Sequence, residues 1–214
     1  MITGNSTPQP KNIEKVSRNS YRAEKINKEV YTKLSSSLDY FNNVLSTLLT
    51  CCKVILMPGL HDVGSVLLPQ KPLNKCLFDN TEGLELVTNP CTFQLDGKIM
   101  LGISGMSIID IMDHSNKNDP IEIMKEQLEW RHICPTAPNT LRTYPFEGID
   151  PFVLKESPNV FFAGNQSKFD TTVISQKDIT IRLMCIPRFL NTQKLAVLDI
   201  ETLEAFEIDL SQPN

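Results

Sequence analysis

Two strings in this chain place polar or ionisable residues just past a short apolar run. The first is Val54-Ile55-Leu56-Met57-Pro58-Gly59-Leu60-His61-Asp62, which ends on an imidazole and a carboxylate. The second, Asn159-Val160-Phe161-Phe162-Ala163-Gly164-Asn165-Gln166-Ser167, ends on two amides and a hydroxyl. Each apolar run has the length of a buried strand and stops at glycine. Open α/β sheets build their sites in the crevice outside the carboxyl ends of strands, so these turns are where chemistry is expected. His61 and Asp62 are residue types that serve general acid–base catalysis or bind divalent metals. Asn165 and Ser167 offer only neutral oxygens. Histidine is scarce: His61, His114 and His132 are the whole supply. A third turn, Thr3-Gly4-Asn5-Ser6, follows another strand end. Gly102-Ile103-Ser104-Gly105 also follows a strand, but it lacks the Gly-Lys-(Ser/Thr) ending of a phosphate-binding loop and reads as a tight strand-to-helix turn. No Ser-His-Asp or Cys-His constellation stands out.

The elements that must position these turns alternate along the chain. Residues 6–20 read as a polar, proline-bearing loop, and residues 21–50 as a helix. In that helix Leu34, Leu38, Phe41, Leu45 and Leu48 recur at three- and four-residue spacing, which predicts one buried face. Residues 53–57 form a strand, and residues 63–82 a long proline-rich crossover. Residues 85–88 and 91–95 look like a strand pair. Asp96-Gly97 is a hairpin signal, returning as a strand at 99–103. Helices are expected at 107–112 and 120–132, the second opened by Asp119 as N-cap and Pro120 in the first turn. Three prolines between Cys134 and Pro145 exclude regular structure there. Strands follow at 160–163, 179–186 and 194–199, with an extended stretch at 205–208.

Composition narrows the classes. The 214 residues suffice for one large domain with a buried core. Hydrophobic residues at 41% and charged residues at 21% are those of an ordinary globular protein. A net charge of −4 argues against the basic stripe of a direct nucleic-acid binder. No apolar run approaches the roughly 20 residues of a transmembrane helix, and the first residues lack the apolar centre of a signal peptide. The six cysteines include no C-x-x-C pair, so they are expected to be small buried hydrophobes in a reducing compartment, cytosol or nucleus.

Seven strings occur in one order: MPGLHD, LPQKPL, LVTNP, DGKIMLGISGMSIIDI, HICPTAPNTLRTYPF, DPFVL and NVFFAGNQSKF. Together they resemble the B-subunit family, the small regulatory subunits of DNA polymerase delta, which derives from calcineurin-like phosphoesterases. The resemblance covers nearly the whole chain from Gly4 onward, and HICPTAPNTLRTYPF is its most specific part. It implies an α/β fold, the calcineurin-like α/β/β/α sandwich, with residues 1–214 forming a partial, inactivated phosphoesterase-like domain. An oligonucleotide-binding-type barrel and the first phosphoesterase strands would lie upstream, leaving an exposed sheet edge here.

The resemblance also places a vestigial metal site. Active relatives carry G-D, G-N-H-(D/E) and G-H-x-H at the three turns. Here Asn5 stands for the bridging Asp, Leu60 for the metal-binding Asn, and Asn165 and Ser167 for two metal-binding His. His61 and Asp62 are retained, and His132 is a remnant of a further His ligand. Two cations roughly 3.5–4 Å apart need anionic oxygens and imidazoles, so the expectation is no metal, no cofactor and no enzymatic activity. The implied role is that of a nuclear scaffold for replication and repair. It would bind the C-terminal domain of the polymerase delta catalytic subunit and a third accessory subunit, touching DNA only indirectly and no membrane. The proline-rich loops 63–75 and 134–152 are candidate contact surfaces. The alternative is an active metal-dependent phosphoesterase that uses His61, Asp62, His132 and upstream ligands. Direct binding of single-stranded DNA is a weaker third reading, set against the acidic balance and the lack of basic residues interleaved with aromatics.

Overall fold

The structure, a computed structural model, describes residues 1–6, 28–176 and 179–211. The loop expected at 6–20 and the first residues of the expected helix therefore lie outside the described residues, apart from Ser6. Helix α1 (Lys28–Cys51) lies on a small parallel sheet of β1 (Ile2–Thr3), β2 (Val54–Met57) and β3 (Leu84–Leu86), ordered β1-β2-β3. Leu45 is buried with Val54, Leu56 and Phe78, and Phe41 packs beside them. The expected stripe holds at Phe41 and Leu45 and departs at the end of the helix. Leu49 faces the sheet, against Gly83, while Leu48 is 40% exposed. Residues 41, 45 and 49 form an i, i+4 row, and the neighbouring surface decides which row is buried.

The larger sheet has the order β4-β5-β6-β8-β7, from β4 (Cys91–Leu95), β5 (Lys98–Ile103), β6 (Val160–Gln166), β7 (Asp170–Gln176) and β8 (Ile179–Pro187). β5, β6 and β8 run parallel, while the edge strands β4 and β7 are antiparallel to their neighbours. The expected hairpin forms: Asp96 and Gly97 both adopt positive φ, the geometry that matches strand twist. The expected pairing of 85–88 with 91–95 does not. β3 joins β2, β4 joins β5, and the chain crosses between sheets at Asn89-Pro90. β7 escaped the sequence reading because its string, Asp-Thr-Thr-Val-Ile-Ser-Gln, is a polar edge strand with little apolar alternation.

Alternation divides the large sheet into two packed faces. Leu101, Ile103, Phe161, Ala163, Ile181 and Leu183 face helices α2 (Met106–Asp113) and α3 (Pro120–Glu129), where Ile108, Ile123 and Met124 close the core. On the opposite face, Met100, Val160, Phe162 and Met184 pack against a terminal hairpin of β9 (Lys194–Leu198) and β10 (Ala205–Asp209). A short helix α4 (Phe189–Thr192) leads into that hairpin. Asp119 caps α3 as expected, its Oδ1 accepting from the Ile121 N–H at 3.0 Å. α3 stops at Glu129, short of the expected His132, because Arg131 takes a left-handed φ of 54° and the chain turns to pair His132 with Val153.

The cysteines divide evenly. Cys91, Cys134 and Cys185 are buried, while Cys51, Cys52 and Cys76 are exposed, which corrects the expectation of buried hydrophobes for half of them. Burial pushes the thiols of Cys134 and Cys185 up to about 12, so both are held as neutral packing groups. Among the described residues no helix is long and apolar enough to cross a membrane.

Candidate functional site

The carboxyl ends of β1, β2, β5 and β6 converge, and close backbone approach is what joins them. A Cβ added at Gly59 would lie 2.4 Å from the Asn5 nitrogen, and one at Gly164 would lie 2.5 Å from the Thr3 carbonyl oxygen. Only glycine leaves room for those contacts. The small sheet thus touches the large one at the turns that the sequence singles out.

Amide side chains fill the junction. The Asn165 Nδ2 donates to the Thr3 carbonyl at 3.0 Å and to the Ser104 carbonyl at 3.0 Å, tying β1 of one sheet to the end of β5 in the other. Asn5 Oδ1 accepts from the His61 N–H at 2.9 Å. Asn5 and Asn165 both hold left-handed backbone, with φ of 56° and 58°, a conformation asparagine tolerates better than most residues. Asp62 is buried, its Oδ1 accepting from the Ser6 N–H at 2.7 Å and its Oδ2 from the Gly59 N–H at 2.8 Å. A carboxylate so placed stabilises its own turn through charge-assisted bonds to backbone donors. Leu60 and Ser167, beside these groups in sequence, are exposed.

Behind the turns lies a second layer that the sequence reading missed. Gln70 and Asn89 are buried, at 1% and 2% exposure. The Asn89 Nδ2 donates to Gln70 Oε1 at 2.6 Å and to Ser104 Oγ at 2.7 Å, while its Oδ1 accepts from the Ser104 N–H at 3.0 Å. The Gln70 Nε2 in turn donates to the carbonyls of Gly59 at 3.0 Å and Ser65 at 2.8 Å. The available signal was a lone amide beside a proline in each of LPQKPL and LVTNP, strings that matter to the resemblance without an evident reason.

His132 stands apart from this network. Its Nε2 is 2.9 Å from Asp150 Oδ2, and its Nδ1 accepts from the Cys134 N–H at 3.2 Å. That acceptor role at Nδ1 puts the proton on Nε2, facing the carboxylate. Burial raises the Asp150 carboxyl, but hydrogen bonds from His132 and the Phe152 N–H outweigh it and hold it below the usual carboxylate range. A carboxylate held low contributes stability above its unfolded value and loses it as pH falls through the folded value. Asp150→Asn should therefore lower the unfolding midpoint at pH 6, with the gap closing as the pH drops below the carboxylate range. A gap that widens on acidification would contradict the assignment. His114 caps α2, its Nδ1 lying 2.8 Å from the Asp110 carbonyl, and is exposed. Among the described residues no group of three His, Cys, Asp or Glu is placed to hold a metal ion.

A sequence model of the DNA polymerase alpha/epsilon B-subunit family matches residues 1–171. The chain belongs to that family. Among its curated relatives, the chain is similar to the DNA polymerase delta small subunit of Arabidopsis thaliana, 37% identical over an alignment of 172 positions that covers 78% of this chain and 39% of the relative. The rice counterpart is 34% identical over 184 residues, 84% of this chain and 43% of its own length. The Saccharomyces cerevisiae DNA polymerase delta small subunit is 36% identical over an alignment of 206 positions, gaps included, that covers 81% of this chain and 42% of its own. The chain thus spans about two-fifths of the length of these relatives.

Proposed function

We propose that this chain is the phosphoesterase-like part of a non-catalytic subunit of DNA polymerase delta, acting in replication and repair in the nucleus. The proposed architecture is an α/β/β/α sandwich of the calcineurin type, with residues 1–214 as part of one inactivated domain; α1 packed on the small sheet and α2–α3 packed on the large one support it. The observation that carries this proposal is the Asn165 amide, which spends both hydrogens on the carbonyls of Thr3 and Ser104. In an active phosphoesterase an imidazole would present a lone pair there.

The donor set does not fit a pair of divalent cations. Asn5 and Asn165 are neutral and engaged with backbone, Leu60 has no donor atom, and the oxygens of Asp62 accept backbone N–H groups. Divalent affinity rests on ligand charge and type, and neutral amides are poor substitutes for carboxylate and imidazole. The site is read as a joint between two sheets, and its metal positions, His132 included, as vestigial.

Function then lies in surface. The proposed partners are the C-terminal domain of the catalytic subunit and a third accessory subunit, with DNA reached through them. Val63, Val66, Phe146 and Ile149 are exposed apolar residues on or beside the proline-rich loops, which suits those loops for protein contact. His61→Ala, in a reconstituted polymerase complex, should leave polymerase activity unchanged. A large loss of activity with assembly intact would sink the proposal that the site is silent.

A further inference from the structure

The net charge of this chain is not spread over it. Residues 194–211 carry Asp199, Glu201, Glu204, Glu207 and Asp209 against Lys194 alone, a balance of −4. The whole chain has 21 Lys+Arg and 25 Asp+Glu, so the remainder holds 20 of each and is neutral. All the excess acidity sits on the β9–β10 hairpin and its turn, with Lys194, paired to Glu207 at 2.7 Å, and Asp209 on one side and Asp199, Glu201 and Glu204 at the turn.

Among the described residues, nothing covers the other, apolar face of this hairpin. Ala205 pairs with Leu198, Phe206 with Val197 and Ile208 with Leu195. Paired residues share a face and neighbours alternate. Ala196, Leu198 and Ala205 pack on the large sheet, so Leu195, Val197, Phe206 and Ile208 point away from it. Leu195, Phe206 and Ile208 are 44%, 51% and 41% exposed. The face extends to Leu210, whose N–H donates to the Gln193 carbonyl at 3.0 Å, and Gln193 adjoins α4, where Leu190 is 70% exposed. It is a firm platform, because its inner face is packed and the Arg182 Nε donates to the Leu203 carbonyl at 2.6 Å, fastening the turn to β8.

We infer that the outer face of the β9–β10 hairpin docks a basic amphipathic segment of another protein, its apolar side on Phe206 and Ile208 and its cations toward Asp199, Glu201 and Glu204 at the turn end of that face. Charge selects this occupant. Nucleic acid and anionic lipid are repelled by the carboxylates of Asp199, Glu201 and Glu204. An apolar stripe flanked by lysines or arginines meets no such repulsion, and amphipathic segments laid on an apolar surface are a recurring recognition mode. This inference goes beyond the silent crevice and stands whether or not that crevice binds metal.

The test is fluorescence anisotropy of the 214-residue chain with a labelled amphipathic helix of leucine and lysine, set against its leucine and glutamate counterpart. The lysine peptide should bind, weaken as salt is raised from about 0.05 M to about 0.5 M, and lose roughly tenfold or more in affinity against Phe206→Ser/Ile208→Ser. Glu201→Lys/Glu204→Lys, confined to the exposed turn, gives a second reading that does not disturb the apolar face, and it should weaken binding as well. Unchanged unfolding midpoints confirm that the variants are folded. Equal binding by all the variants, or equal binding of the glutamate peptide, would overturn the inference. So would sedimentation of the chain as a dimer that Phe206→Ser dissociates, since the occupant would then be a second copy.

Discussion

Asn89→Ala is expected to destabilise the chain by about 3–5 kcal/mol, a large effect for a single buried amide. The side chain gives two hydrogens, to Gln70 Oε1 and Ser104 Oγ, and accepts one, from the Ser104 N–H. Alanine would leave those groups buried without it, and each unsatisfied buried polar group costs about 1–3 kcal/mol. The loss spreads through the network, because Gln70 also holds the Gly59 carbonyl at the start of the His61-Asp62 turn. Urea unfolding of the two chains measures the difference. A loss below about 1 kcal/mol would mean that water reaches these groups and that the network is not a closed one.

Gly164→Ala is the second large effect, about 3 kcal/mol or more, at the upper end of what overpacking costs. The added methyl would sit 2.4 Å from Thr3 Oγ1 and 2.5 Å from the Thr3 carbonyl oxygen. The carbonyl is backbone and cannot step aside alone, so the two sheets must separate, pulling Asn165 from its bonds to Thr3 and Ser104. Gly148 is the matched control. Its φ is +80°, and an added Cβ there meets nothing within 4 Å. Gly148→Ala should cost only the backbone penalty, about 1–2 kcal/mol. Equal losses in the two variants would show that the contact between the sheets is looser than described.

The turns were legible in the sequence because a short apolar run closed by glycine is a local signal. Gly59 and Gly164 stand where two backbones meet, and no other residue fits there. The hairpin at Asp96-Gly97 and the cap at Asp119-Pro120 were legible for the same reason, since turn and cap chemistry is written within a few residues. The misses have tertiary causes. Leu48 and Leu49 both satisfy helical spacing, and only the surface opposite α1 chooses between them. β3 and β4 look like one hairpin until Asn89 is seen bonded to Gln70 and Ser104, which sends the two strands to different sheets. In the candidate site, Asn5 and Asn165 could be named as departures from a metal-binding pattern. What they bond to could not be read, because Thr3 and Ser104 are remote in sequence from Asn165. Gln70 and Asn89 were invisible as site residues, since a single buried amide has no periodicity to betray it.

The central claim is that amides occupy this crevice as a structural joint and leave no place for catalytic metal. It is tested most directly by elemental mass spectrometry of the protein purified without chelator. Less than about a tenth of an equivalent of manganese, iron or zinc is the predicted result, because neutral, engaged donors do not hold divalent ions against washing. Stoichiometric metal that disappears in His61→Ala or His132→Ala would contradict it and make this crevice a working phosphoesterase site.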